Sequence, residues 1–255
     1  MDSNSSVFQE LRQLVQSANG LMPQSVYEEI WKVARTAKGP NFVEVGTAHG
    51  AATIALALGA KSGGVNVHIH TIDKMAGKFS SRARFGSTEV NYGIAVRNFE
   101  NAGVADSIQL FIGSTDEFIA TDQCPKSIDL LMLDADGRID RDLMHFYSRM
   151  TPDSLLIIDD IDPNVYFGKS HENIPYIDLK HLITSLLLNI YETEGFIRVD
   201  NRIENTAFCK RGERDYDEYQ FSQLALVCYR ELVKIVPVDK NNEFFDVSKM
   251  KLTNR

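Results

Sequence analysis

Apolar residues first recur at helical spacing. Val7, Leu11, Leu14 and Val15 mark one helix over residues 7 to 18, and Val26, Ile30, Trp31 and Val33 mark a second over 24 to 37. Pro23 sits near the start of the second, where a missing N–H costs little. From 42 to 160 the pattern changes to short apolar runs alternating with helical segments. The runs cover 42 to 45, 67 to 72, 107 to 112, 128 to 133 and 154 to 158. That alternation predicts an α/β fold with a parallel sheet built from right-handed crossovers. A polar insertion over 74 to 92 interrupts it. A helix is expected over 177 to 192, then two short apolar runs at 195 to 200 and 206 to 210 joined by a polar turn. An amphipathic helix over 214 to 236 follows, carried by Phe221, Leu224, Leu226, Val227, Tyr229, Leu232 and Val233. The polar stretch from 237 to 255 is expected to be loosely ordered. Three parts result: helices over 1–40, a central α/β domain over 41–212, and a C-terminal helix and tail over 213–255.

Composition narrows the classes of function. The chain has 255 residues, 44% of them hydrophobic, which suffices for a sizeable core. A net charge of −8 and a pI near 5.3 argue against a general nucleic-acid footprint or an anionic membrane surface. No apolar run is long enough to span a bilayer, and the N-terminus lacks the basic start and apolar stretch of a signal peptide. Cys124, Cys209 and Cys228 lie far apart with no C-x-x-C pair, which points to reduced thiols in the cytoplasm.

The most informative segment is Phe42-Val-Glu-Val-Gly-Thr-Ala-His-Gly50, a strand that turns through glycine into the helix starting at Ala51. Such a turn lets backbone approach a ligand closely, and the helix N-terminus offers unpaired N–H groups. A dinucleotide fingerprint would need G-x-G-x-x-G, but here Ala48 stands at the middle glycine. The loop therefore suits a nucleoside without a diphosphate. Four further strand ends carry chemistry. Asp73 lies 27 residues after Gly46, at the tip of the second run. The third ends in Gly113-Ser114-Thr115-Asp116, the fourth in Asp134-Ala135-Asp136-Gly137, and the fifth in Asp159-Asp160.

These five strand-end motifs, in this order over roughly residues 20 to 210, resemble the class I S-adenosylmethionine-dependent methyltransferases. The resemblance implies a Rossmann-like, seven-stranded, mostly parallel sheet with helices on both faces, closed by the antiparallel pair at 195 to 210. It implies that Glu44, Gly46, Thr47 and Gly50 shape the methionine side of S-adenosylmethionine. By the same resemblance Asp73 holds the ribose, and Gly113, Ser114 and Thr115 border the adenine.

Ligands of an open α/β sheet sit outside the carboxyl ends of its strands, where Asp134, Asp136, Asp159 and Asp160 all fall. Like charges ~4 Å apart repel by about 4 kcal/mol at an effective dielectric of ~20. Such a cluster shares a proton, pairs with Arg or Lys, or binds a cation, and an all-oxygen set favours Mg²⁺. Asp134, Asp159 and Asp160 resemble the three metal positions of catechol O-methyltransferase-like enzymes and of bacterial natural-product methyltransferases. The activity implied is O-methylation of a small-molecule hydroxyl, with Mg²⁺ orienting and activating the acceptor. Metal-independent N- or O-methylation and a non-catalytic cofactor-binding subunit are the alternatives, in the first of which Asp134 orients only the methionine amino group.

One departure concerns the proton acceptor. The catechol-type enzymes carry a lysine about three residues after the first metal aspartate, and Gly137-Arg138 fills that place here. Arginine stays protonated and is a poor base. Asp136 is the first candidate and His145 the second. Plainer readings exist as well: Asp136-Gly137 is an ordinary turn, and Asp160 or Asp162 could cap a short helix from Pro163. The basic stretch Lys74 to Phe85 is either a solvated lid or an anion-holding edge of the acceptor site. Tyr166, Phe167, His171 and Tyr176 are expected to wall the acceptor pocket. His68 and His70 share a strand face without a third ligand and read as packed or exposed residues, and His49 as a helix-start residue. Helices at both ends are compatible with a homodimer.

Overall fold

The computed structural model describes residues 3–76, 87–135, 138–169 and 175–235. Two helices, α1 (Ser3–Ser17) and α2 (Gln24–Arg35), precede the sheet. Then follow β1 (Asn41–Val45), α3 (Ala51–Ser62), β2 (His68–Asp73), α4 (Thr88–Asn101), β3 (Ile108–Ile112), α5 (Thr115–Ile119), β4 (Ile128–Leu133), α6 (Ile139–Phe146) and β5 (Met150–Ile158). A small hairpin of β6 (Tyr166–Lys169) and β7 (Pro175–Asp178) comes next, then α7 (Lys180–Thr193), β8 (Ile197–Ile203), β9 (Thr206–Arg211) and α8 (Glu218–Ile235). The central sheet has seven strands in the order β3-β2-β1-β4-β5-β9-β8, with β9 and β8 antiparallel to their neighbours. This is the expected Rossmann-like arrangement.

Continuous apolar strands form because both sheet faces are covered, and their period of two divides the core. Phe42, Leu130, Met132 and Ile157 face a layer that includes Leu11, Ile30, Trp31 and Ile54 from α1, α2 and α3. Val43, Leu131, Leu133 and Ile158 face the opposite layer, with Tyr147, Leu187, Leu188 and Phe221. Glu44 follows the alternation onto the α3 side and is fully buried there.

Three expectations need correction. The polar insertion ends earlier than residue 92, because Ser87 is extended and α4 begins at Thr88. Residues 166 to 178 contain a hairpin rather than a plain loop, so the next helix starts at Lys180 and not at 177. No helix starts at Pro163. Asp162 instead accepts from the Asn164 amide at 2.9 Å and from the Tyr166 hydroxyl, closing a turn. His171 and residues 237–255 lie outside the described residues, as does most of the basic stretch after Ala76. Among the described residues, no helix is long and apolar enough to cross a membrane.

Candidate active site

Register brings the strand-end motifs into one row. Val45 pairs with both Ile72 and Leu133, and Leu133 pairs with Ile158. One rung further on, Gly46, Asp73, Asp134 and Asp159 therefore stand side by side at the carboxyl edge. Sheet-type hydrogen bonds continue there: Gly46 N donates to Ile72 O at 2.9 Å, Asp134 N to Val45 O at 2.8 Å, and Asp159 N to Leu133 O at 3.0 Å. Strand order reverses between β1 and β4, so the row spans the topological switch point of the sheet.

The glycine turn has a different physical cause from the one its sequence suggests. Gly46 has φ +104°, and a Cβ there would lie 1.8 Å from the Asp134 carbonyl oxygen. Gly50 has φ +88°, and its Cβ would strike the Phe99 ring at 2.2 Å. Each glycine is demanded by a neighbour inside the protein, whatever binds above. Between them Ala48 also takes a positive φ of 47°. Asp73 holds that strained turn, accepting from Ala48 N at 2.8 Å and Met75 N at 2.7 Å. Its carboxylate thus positions the loop and keeps unused lone pairs for a further donor.

Glu44 lies beneath the turn. Its Oε2 accepts from Thr53 and Thr71, each at 2.5 Å, and Thr47 reaches Thr71 at 2.5 Å. The other oxygen, Oε1, is buried without a partner. Burial pushes the Glu44 carboxyl up to about 7, and the two threonine hydroxyls pull only partly against it. The sign follows from linkage. A folded-state value above the ordinary 4.5 means that the fold holds this proton longer than the unfolded chain does. Stability from this residue is therefore greatest below about 4.5 and is lost as pH rises towards 7. The loss is on the order of 3 kcal/mol. Glu44→Gln is expected to remove that slope, which urea unfolding of both proteins across pH 4.5 to 8 would show.

The acids gather as expected. One oxygen from each of Asp134, Asp159 and Asp160 lies within 4.8 Å of the others. Burial first, and then the Asp159 charge, raises the Asp134 carboxyl well above its usual range. Burial and Asp160 raise Asp159, against a 2.5 Å hydrogen bond from Thr206 Oγ1 on the neighbouring strand. Asp160 adopts φ +60°, an uncommon conformation that aspartate tolerates better than most residues.

Two residues absent from the sequence reading join this cluster. Lys180 Nζ contacts Asp160 Oδ2 directly, and His181 Nδ1 lies 3.3 Å from Asp160 Oδ1. Burial works against the Lys180 charge, but attraction to Asp160, Asp134 and Asp159 outweighs it and keeps the ammonium protonated. The signal was present in the sequence. Lys180 opens α7, where the helix dipole disfavours a cation unless an anion faces it. Tyr27, from α2, is the third unforeseen neighbour. Its phenol accepts from Met22 N at 3.2 Å, and burial, with Asp134 and Asp159 behind it, keeps the proton on.

The remaining expected site residues are placed as follows. Ser114 caps α5 in a capping box, accepting from Glu117 N at 3.3 Å while Glu117 accepts from Ser114 N at 2.7 Å. Gly113 continues the sheet edge, donating to Asp73 O at 3.0 Å, and Thr115 is buried. His145 lies in the last turn of α6 with Nε2 2.8 Å from Asp116 Oδ1, so its nearest acid belongs to α5 and not to the cluster. Asp136 lies outside the described residues. Arg138, in the place of the family lysine, holds Asp140 through two nitrogens at 3.0 and 3.1 Å. His49 tethers the α1–α2 connection, with Nδ1 3.0 Å from Asn19 Nδ2, and burial keeps it neutral. His70 packs on Phe118 at 5.7 Å, and His68 is exposed.

Residues 43–161, which hold the whole row of strand ends, match the family model described as Methyltransferase domain. Over those residues the chain carries a methyltransferase domain, consistent with a class I S-adenosylmethionine-dependent enzyme. No curated protein matches its sequence. Solved structures share the fold of the chain at low identity. Cofactor-bound Rv0187 from MTB is 15% identical over 80% of this chain and 90% of its own, with a TM-score of 0.57. An O-methyltransferase from Bacillus cereus in complex with SAH is 17% identical over 81% and 90%, with a TM-score of 0.55. TomG from Streptomyces achromogenes, an O-methyltransferase of tomaymycin synthesis solved with SAM, is 13% identical over 79% and 89%, with a TM-score of 0.55. The partnerless Glu44 Oε1 and the loop held by Asp73 fit a donor-rich ligand such as this cofactor over the glycine turn.

Proposed function

We propose that the methyltransferase transfers methyl to a hydroxyl oxygen of a small molecule, with a hard divalent cation such as Mg²⁺ held by Asp134, Asp159 and Asp160. The charge balance of the cluster carries this reading. Three carboxylates face one ammonium, and burial first, then the neighbouring acid charges, makes Asp134 and Asp159 hold protons more tightly. A divalent ion would offset more of the acids' charge than the single ammonium does, and the donor set is the all-oxygen kind that Mg²⁺ prefers. When bound, the ion would supply positive charge that acidifies the acceptor hydroxyl and fixes its place.

The protein's own share is orientation. Asp73 fixes the turn between β1 and α3, and Glu44 offers Oε1 beneath it, so the sulfonium side of the donor would sit next to the Asp134 strand end. Thr206 fixes the Asp159 carboxylate, and His181 supports Asp160. In-line transfer needs donor methyl and acceptor oxygen held in near-attack geometry, which supplies much of the acceleration without covalent chemistry by the protein. Gly113, Ser114 and Thr115 would border the adenine, and the β6–β7 hairpin would stand beside the acceptor.

One observation favours a second reading. The Lys180–Asp160 pair already puts a cation beside the acids, so part of their charge is balanced without a metal. A single experiment separates the two. Transfer of radiolabelled methyl from S-adenosylmethionine should be measured on acceptors with adjacent hydroxyls, with EDTA and then with added Mg²⁺. The metal reading expects activity to fall at least about a hundredfold with EDTA and return with Mg²⁺. Turnover that ignores EDTA would establish the second reading instead.

A further inference from the structure

The position of Lys180 bears on how a metal would enter. Its ammonium touches Asp160 Oδ2, which belongs to the trio of acids whose oxygens lie within 4.8 Å of one another, and it is attracted to the other two as well. A hard ion such as Mg²⁺ draws its oxygen ligands to about 2.1 Å. An ion at that distance from Asp160 and the ammonium now in contact with the same carboxylate would repel one another strongly. Lysine is a point charge on a flexible four-carbon stem, free to swing away without moving the backbone of α7. The α7 N-terminus gives it no hold of its own, since the dipole there repels a cation. Among the described residues, the acids are what hold it.

We propose that Lys180 is a built-in counter-ion that occupies the divalent-cation position while the ion is absent, and that the ion binds by displacing the ammonium from Asp160. This inference rests on the metal reading above and adds a competitor to it. The site is thereby kept closed around its acids until a doubly charged ion replaces the singly charged group. Metal affinity is set lower than three carboxylates alone would give, because each binding event must first break the Lys180–Asp160 pair.

The test is calorimetric titration of Mg²⁺ and Mn²⁺ into the full chain, with no methyl donor or acceptor present. Lys180→Met is expected to bind at least about tenfold more tightly than wild type, a gain of ~1.4 kcal/mol. Equal or weaker binding by the variant, beside measurable binding by wild type, would overturn the inference and leave the metal reading intact. Binding by neither protein would overturn both. A measurement on the wild-type chain covers the case in which Lys180→Met does not fold. Saturating Mg²⁺ should raise the reactivity of the Lys180 amine towards an acylating ester severalfold, read by peptide mass spectrometry. Unchanged labelling of Lys180 in the Mg²⁺-saturated protein would refute displacement.

Discussion

Gly46→Ala is expected to cost on the order of 4 kcal/mol and to abolish donor binding in whatever protein still folds. Two independent causes act together. The φ of +104° disfavours any side chain, and the new Cβ would lie 1.8 Å from the Asp134 carbonyl oxygen. That obstacle is backbone, which no rotamer change can clear. Relief requires β1 and β4 to separate at the rung where Asp134 N donates to Val45 O. The same movement would shift the Asp134 carboxylate and the loop held by Asp73. Stability effects above about 4 kcal/mol are exceptional for one substitution, so the result is diagnostic. Urea unfolding measures the loss, and calorimetry with S-adenosylhomocysteine measures the binding. A near-normal midpoint would mean that β4 is not seated against the turn.

Asp134→Asn should produce the opposite effect on stability while still lowering activity. Burial and the Asp159 and Asp160 charges oppose an ionised Asp134, and the Lys180 ammonium offsets them only in part. Its folded-state value stands above the ordinary carboxylate range, so it weakens the fold as pH rises out of that range. An isosteric amide carries no charge and keeps the shape. The metal-free variant should be more stable than wild type at pH 8, read as a rise in Tm. Methyl transfer should fall about a thousandfold, the scale seen when a group stabilising developing charge is removed. Mg²⁺ at 100 times its Kd should stabilise wild type by ~2.7 kcal/mol. The variant should show little of that response. Paired melting curves with and without Mg²⁺ test both halves, and a destabilised variant would contradict the assigned crowding of charge.

Much of this architecture is legible in the sequence, for a physical reason. Strands covered on both faces must be apolar throughout, so 42 to 45 and 128 to 133 stand out as continuous runs. Once the strands are known, register alone aligns Gly46, Asp73, Asp134 and Asp159. What the sequence hides is contact between distant segments. The need for glycine at 46 and 50 comes from Asp134 and Phe99, residues that no local pattern connects to the turn. The β6–β7 hairpin escapes notice because its strands are four residues each and include Gly168 and Pro175, which weaken strand patterning. With the hairpin missed, the helix start is misplaced, and Lys180 reads as one more polar residue of a helical face. Its position against the dipole was the clue, visible only when the first turn of α7 is correctly placed. His145 shows the converse. Its place about two turns into the helix after the Asp134 strand end makes it a candidate base, but α6 delivers it to Asp116.

One edge of the sheet is expected to hold both a methyl donor and a divalent ion. A crystal grown with S-adenosylhomocysteine and Mn²⁺, measured for anomalous scattering, tests this most directly. The expected map has cofactor density over the Gly46–Gly50 turn and one manganese peak bonded to Asp134, Asp159 and Asp160, with Lys180 turned away. Cofactor bound beside an intact Lys180–Asp160 pair, with no anomalous peak at saturating Mn²⁺, would contradict the metal site, and an empty turn would contradict the account as a whole.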